Sequence, residues 1–410
     1  MARMCLLAVV TAAPWLFGGV SLSVQWWLSV GVLAALLCWL AGTVISMAEF
    51  RRESPLLPVT IVPLSAALFL GAFQLLPVGG IFNRDVQQIG RETETESFTV
   101  VQTVTPTAAA SQGVLDHSIL SYYPASTRLE MSRLVMAVIV FSLGALLLQK
   151  RRYQLWLWGV LALNGAALAF FGIAQKLSWN GRLFWTFPVE HGSPFASFGN
   201  RNNAAGFLNL CLAGGIGLVF WTLLQKSRGG AKDFSPGCQS PTSDSMKTRQ
   251  PRSNLVSPLF AVVLLALMFA GILCTVSRGG ILATTVAGLL TLLVLVRTNL
   301  AKKSLLGIGV SFLLGLGLIY WLGFGGHIEQ RMSTLADERI TEEVRLKNWI
   351  DATHAAADFW GLGTGLGTYR YAYQPYQTHL AESWFYNAEN QYLEALVEGG
   401  IVGLGLMITT

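Results

Sequence analysis

Charge is what this chain has least of. Only 12% of its 410 residues are Asp, Glu, Lys or Arg, and 53% are hydrophobic. A soluble domain of this length carries about a quarter charged residues, so a soluble globular enzyme is excluded. Cysteine is also scarce. Of the five, Cys5, Cys38, Cys211 and Cys274 lie in apolar runs and Cys238 in a basic loop, with no spacing for a metal site or a disulfide framework. The five histidines, at 117, 191, 327, 354 and 379, are scattered without ligand spacing. Solvated or structural roles are the expectation for each.

What fills the chain is apolar runs of membrane-spanning length. A helix needs roughly 20 mostly apolar residues to cross the hydrocarbon core. Ten runs qualify, at about 4–20, 26–48, 56–78, 131–149, 154–175, 203–224, 257–276, 279–297, 304–324 and 391–410. They are continuous rather than alternating, which predicts an all-α, polytopic transmembrane bundle instead of a barrel. Arg3 ahead of the first run resembles a signal peptide, but Pro14 and the second run close behind favour a retained helix. The last run is still apolar at Thr410, so the natural protein is expected to continue.

The basic residues fix an expected orientation. With the amino terminus in the cytoplasm, the cytoplasmic segments hold Arg3, Arg51, Arg52, Lys150, Arg151, Arg152, six Lys/Arg of the 225–256 loop, Arg297, Lys302 and Lys303. That is 15 of the 28 Lys and Arg, packed into short loops, which is the positive-inside pattern. Topology accounts for the net charge of +6, with lipid headgroup attraction as a minor contribution, so no nucleic-acid partner is implied.

The expected organisation is three helices over 1–78, a flexible external loop at 79–130, six helices over 131–324, a long structured loop at 325–390 and a further helix from 391. The 225–256 loop, rich in Ser, Pro, Gly and basic residues, reads as a disordered linker. The 325–390 loop has structure of its own. Ala336 to Phe359 carries a helical apolar pattern and a Glu343–Lys347 pair at i,i+4, and it stops at Gly361. No internal repeat supports a two-fold transporter architecture.

Four short segments on the expected external face have residues suited to chemistry. Asn200, Arg201, Asn202 and Asn203 stand at the start of the sixth run, where free N–H groups and the helix dipole favour an anion. An interfacial cap with a snorkelling arginine fits equally well. Ser277-Arg278-Gly279-Gly280 forms a near-loopless hairpin, whose arginine either binds phosphate in bidentate fashion or simply anchors the turn. The glycine run 361–367 is not a dinucleotide fingerprint, since Leu366 stands where the third glycine belongs; a plain turn is the better reading. Tyr369, Tyr371, Tyr373 and Tyr376 after it either stack on sugar rings or form an interfacial aromatic belt. The fourth segment is Glu389-Asn390-Gln391-Tyr392-Leu393-Glu394, followed by Gly399-Gly400-Ile401-Val402-Gly403. Glu394 and Glu398 fall inside the last apolar run, where acids are costly and usually face a cavity or a partner.

At these segments the chain resembles the O-antigen ligase and polymerase superfamily of bacterial envelope enzymes. FGNRNNAAG at 198–206 is similar to its N-R-N-x-x-A-G start of a central span, and SRGG at 277–280 to its Ser-Arg-Gly turn. DFWGLGTGLGTY at 358–369 resembles the glycine-repeat stretch of its large periplasmic loop. Asn390, nine residues, Gly400, two residues and Gly403 follow its His-Asn-x9-Gly-x2-Gly pattern, except that Glu389 stands where the ligases carry histidine. The resemblance covers roughly 130–410.

The resemblance implies a glycosyltransferase of the bacterial inner membrane, working at the periplasmic face without metal or other cofactor. Its donor is a glycan on a polyprenyl diphosphate such as undecaprenyl diphosphate, and its acceptor a glycolipid, as in lipopolysaccharide assembly, or a protein. Arg201 and Arg278, with Arg345 as a third candidate, are then the diphosphate ligands; Glu389 is the candidate base; Asn200, Asn203, Asn390 and Tyr369 are candidate glycan or acceptor contacts. The alternatives are a polysaccharide polymerase, a protein oligosaccharyltransferase and, outside enzymes, a polysaccharide or lipid transporter. The spans are nearly free of midspan charge, which favours surface chemistry over transport.

Overall fold

The computed structural model describes residues 1–45, 58–77, 119–189, 192–230, 258–296, 301–323, 339–378 and 385–410. These carry twelve α-helices: α1 (Ala2–Ala12), α2 (Leu22–Ile45), α3 (Ile61–Gln74), α4 (Pro124–Leu147), α5 (Arg151–Leu177), α6 (Arg201–Gly230), α7 (Pro258–Thr275), α8 (Arg278–Val296), α9 (Ala301–Trp321), α10 (Arg339–Asp358), α11 (Tyr369–Ala372) and α12 (Gln391–Thr409). A short antiparallel hairpin, Arg182–Leu183 with Phe187–Pro188, lies between α5 and α6. The protein is all-α, as the continuous apolar runs predict. Most of the 79–130 loop, most of the 225–256 linker, Cys238 and the histidines at 117, 191, 327 and 379 lie outside the described residues.

Each expected run coincides with one helix, but the helices differ in reach. Five are long and apolar enough to cross a membrane by length and composition: α2, α4, α5, residues 201–221 of α6, and α12. The others hold shorter apolar stretches of 10–17 residues. The first run shows a physical cause. Pro14 opens a 3-10 turn after α1, and Gly18 and Gly19 take positive φ, so the helix ends well before the apolar residues do. The helix expected over 336–359 is α10.

The described residues fall into two compact units, each drawn from two stretches of chain. The first unit holds α1, α2 and α5 to α9. Its core joins Ala162, Ala166 and Ala169 of α5, Ala204, Leu208 and Cys211 of α6, and Leu265, Met268 and Ile272 of α7. Small residues let these backbones approach: a Cβ at Gly165 would fall on Cys211, and one at Gly271 would meet Ala169. Lipid supplies no hydrophobic drive between helices, so close packing of this kind is what holds them. The second unit holds α3, all but the last residue of α4, and α10 to α12. Its core is Ala352, Ala355 and Ala356 of α10 with Tyr369, Ala372, Tyr373, Ala388, Leu393 and Val397.

Candidate active-site elements

In the first unit the two arginine motifs come together. Asn200 caps α6, its Oδ1 accepting from the Asn202 amide at 2.8 Å, and Arg201 is the first helical residue. Ser277 precedes α8, whose first residue is Arg278. The Ser277 hydroxyl donates to Asn202 Oδ1 at 2.8 Å, and the Gly280 amide donates to the Ser277 hydroxyl at 3.2 Å. Further along, the Asn209 amide donates to the Gly280 carbonyl at 3.0 Å, while Thr284 donates to Asn209 Oδ1 at 2.6 Å. Gly280 itself packs so tightly on Ala205 that a Cβ could not be added. Two helix starts, each headed by an arginine, are thus fastened side by side.

The electrostatics of this arrangement are unusual. A helix amino terminus already carries about half a positive charge, so an arginine in the first turn is normally unfavourable by a few tenths of a kcal/mol. Acidic residues in the first turn would offset it, and neither α6 nor α8 has one. Among the described residues of this unit there is no Asp or Glu at all. Lys176, near the end of α5, donates to the Cys274 carbonyl at 2.5 Å and so tethers α5 to the last turn of α7. Arg201 and Arg278 are both half-buried, and Asn200 and Asn203 are exposed.

In the second unit the segment before α12 is held against α10. The Arg345 guanidinium pairs with the Glu389 carboxylate at 2.8 Å. Asn390 is the amino-terminal cap of α12, its Oδ1 accepting from the Tyr392 and Leu393 amides. Capping accounts for Asn390 without a ligand. Tyr369, read from the sequence as a possible stacking ring, is only 1% exposed. Its ring stacks on Tyr373 at 5.4 Å and its hydroxyl donates to Asn348 at 3.0 Å. The aromatic run is thus partly core rather than belt. Burial pushes the Tyr369 and Tyr373 hydroxyls above the usual phenol range, so neither is a base near neutral pH.

The glycine run lies inside a break in α12. Gly400 departs from helical geometry at φ 61 and ψ −160, and a Cβ there would land on the Gly361 carbonyl. The groups freed by the break are answered by the run: Thr364 donates to the Val397 carbonyl at 2.9 Å, Gly365 to the Glu398 carbonyl at 3.0 Å, and Ile401 to the Trp360 carbonyl at 2.7 Å. Gln74 of α3 donates to both Leu362 and Glu398 carbonyls, at 2.7 and 2.8 Å. The Glu398 side chain accepts from the Tyr369 amide at 3.0 Å. Backbone amides that might have approached a ligand are therefore occupied, and the turn reading of the run holds. Acid inside the apolar run is likewise explained, because Glu398 faces backbone donors.

The comparisons agree with the sequence motifs. Residues 263–408 match the O-antigen ligase family model. This bears out the resemblance over that stretch, and five of the helices are long and apolar enough to cross a membrane. The matched stretch takes in Arg278, Arg345, Tyr369, Glu389 and Asn390, while Asn200, Arg201 and Asn203 precede it. No curated protein and no solved structure matches the chain.

Four contacts were not foreseen: those of Asn202, Lys176 and Gln74, and that of Trp349, whose indole N–H donates to the Ala388 carbonyl. Asn202 stood in view beside Arg201, but nothing in the sequence says which distant residue it meets. Lys176 and Gln74 lie near the ends of apolar helices, and Trp349 lies on the polar helix α10. For the first two the signal is a polar atom in an apolar helix, which calls for a partner without naming it.

Proposed function

We propose that this protein transfers a glycan from a polyprenyl diphosphate carrier to an acceptor hydroxyl at the periplasmic face of the bacterial inner membrane. The observation that carries the reading is the pair of arginine-headed helix starts, Arg201 and Arg278, fastened side by side through Asn202 and Ser277. Such a place favours an anion with two guanidinium groups and two helix dipoles at once.

In this reading Glu389 accepts the proton of the acceptor hydroxyl, and the freed oxygen attacks the anomeric carbon of the donor. The bond from that carbon to the diphosphate oxygen breaks, and polyprenyl diphosphate leaves with the electron pair. Arg201 and Arg278 offset the charge that grows on the departing diphosphate, which is where electrostatic stabilisation has most effect. Arg345 orients Glu389. Asn203, exposed beside Arg201, is the remaining candidate glycan contact of the first unit. Ligation to a glycolipid, ligation to a protein and polymerisation share this chemistry and differ in the acceptor.

Among the described residues, the break in α12 is the feature that favours a transporter, since transporters bind substrates at interrupted helices. Here residues 360–365 fill the break with their own hydrogen bonds, which leaves the enzyme as the better reading. The deciding experiment is glycan profiling of a deletion strain complemented with wild-type protein or with Arg278→Ala. Lipid-linked glycan that accumulates in the deletion, clears with wild type and persists with the variant supports transfer. Clearance by the variant rejects the arginine clamp, and accumulation confined to the cytoplasmic leaflet points to the transporter.

A further inference from the structure

Glu389 stands in a backbone conformation that a side-chain-bearing residue rarely adopts, with φ at 52. The residue before it explains how that conformation is kept. Ala388 is fully buried, and both of its backbone polar groups are answered by side chains from separate elements. Its carbonyl accepts from the Trp349 indole N–H at 2.8 Å, and its amide donates to Glu394 Oε2 at 3.2 Å. On the other side, Asn390 is fixed as the cap of α12. Trp349 lies one helical turn beyond Arg345 on α10, so the same face of that helix reaches two successive residues, 388 and 389.

We infer that Trp349 and Glu394 are positioning residues: they clamp the Ala388 peptide groups and thereby present the Glu389 carboxylate to Arg345 and the acceptor. This rests on the reading of Glu389 as the base. Neither residue touches the reacting atoms. Without the two clamps position 389 is held only by the Asn390 cap and its own ion pair, and its backbone relaxes toward negative φ. The carboxylate then swings off the Arg345 axis. A displacement of this kind leaves donor binding intact and slows the chemical step.

The test uses the full chain in inner-membrane vesicles from a deletion strain, which supply both the accumulated polyprenyl-diphosphate glycan and the native acceptor. Release of polyprenyl diphosphate is followed against added donor. Trp349→Phe keeps an aromatic ring, though a smaller one, and removes the N–H; it is expected to lower kcat by about tenfold to a hundredfold with donor KM within twofold of wild type. Glu394→Leu is expected to do the same, and Glu394→Gln to recover most of the loss, because its amide oxygen still accepts from Ala388. Wild-type turnover by Trp349→Phe and Glu394→Leu, beside an inactive Glu389→Gln, overturns the positioning role and leaves the base standing. Full turnover by Glu389→Gln instead rejects the base itself. Donor KM rising in step with the loss, or Glu394→Gln as impaired as Glu394→Leu, also overturns the inference, since both mark a general packing role.

Discussion

The guanidinium of Arg345 and the carboxylate of Glu389 meet at 2.8 Å while each side chain remains about half exposed, at 47% and 52%. An exposed ion pair of this kind adds little to stability, typically under about 1 kcal/mol. Its geometry still matters, because it fixes one oxygen of Glu389 and leaves the other for a substrate proton. The position belongs to histidine in the resembled ligases, so proton transfer is the property to test. Glu389→Gln keeps the shape and the contact with Arg345 but cannot take a proton. It is expected to reduce transfer by about a hundredfold or more, and Glu389→His to recover to within about tenfold of wild type. Release of polyprenyl diphosphate by vesicles measures both. If both substitutions are silent, the proton goes elsewhere.

Arg278 gives a second prediction. It heads α8 directly after Ser277, whose hydroxyl is engaged with Asn202. Arg278→Ala is expected to abolish transfer while membrane insertion and yield stay normal. Arg278→Lys is expected to keep a small part of the activity, because an ammonium supplies the charge without the bidentate fork. Transfer assays on vesicles normalised for protein content decide this. An alanine variant with near-wild-type transfer would leave Arg278 as a hairpin anchor only.

Gly400 carries a structural prediction that is independent of catalysis. Its φ of 61 and ψ of −160 suit glycine, and an added Cβ would strike the Gly361 carbonyl. Gly363, with φ at 71, sits in the mirror situation against the Glu398 carbonyl. Alanine at either position must move one backbone segment off the other, breaking the hydrogen bonds that fill the gap in α12. A loss of about 2 kcal/mol or more is expected from strain and broken contacts together. Gly405→Ala, where nothing lies within 4 Å of the added methyl, is the control. Thermal unfolding in detergent should separate them, with the control unchanged and the other two lowered by several degrees.

How much of this was legible in advance follows from the physics of each feature. Every helix over an apolar run was readable, since a long apolar stretch in a bilayer has few alternatives to a helix. The helix over 339–358 was readable from its apolar period, and Arg201 and Arg278 from their place beside apolar runs. Pairing was not readable. Hydropathy carries no record of which spans touch, so the grouping of α3 with α12, through Gln74, could not be foreseen. The meeting of Asn202 with Ser277 depends on a sequence separation of 75 residues. Tyr369 was ambiguous because an aromatic residue next to an apolar helix suits a membrane belt and a core equally. Only its contacts with Asn348 and Tyr373 decide for the core.

The Asn202–Ser277 bond provides a prediction about how the two helix starts are held. The Ser277 hydroxyl donates to Asn202 and accepts from the Gly280 amide, so it bridges α6 and α8 at their first turns. Asn202→Ala leaves that hydroxyl without its acceptor, and Ser277→Ala leaves both the Asn202 oxygen and the Gly280 amide unanswered. In the double variant the first loss has already been incurred when the second is made. The effects should therefore fall short of additive, by up to about 1 kcal/mol in stability for a half-buried hydrogen bond. If the bond also sets the spacing of the two arginines, each single variant should weaken transfer and the double variant should be no worse than the poorer single. Strictly additive losses in both stability and transfer would mean that the two side chains act separately, and that the arginine-headed helices are held together by the Gly280–Ala205 contact and the bonds of Asn209 to Gly280 and Thr284.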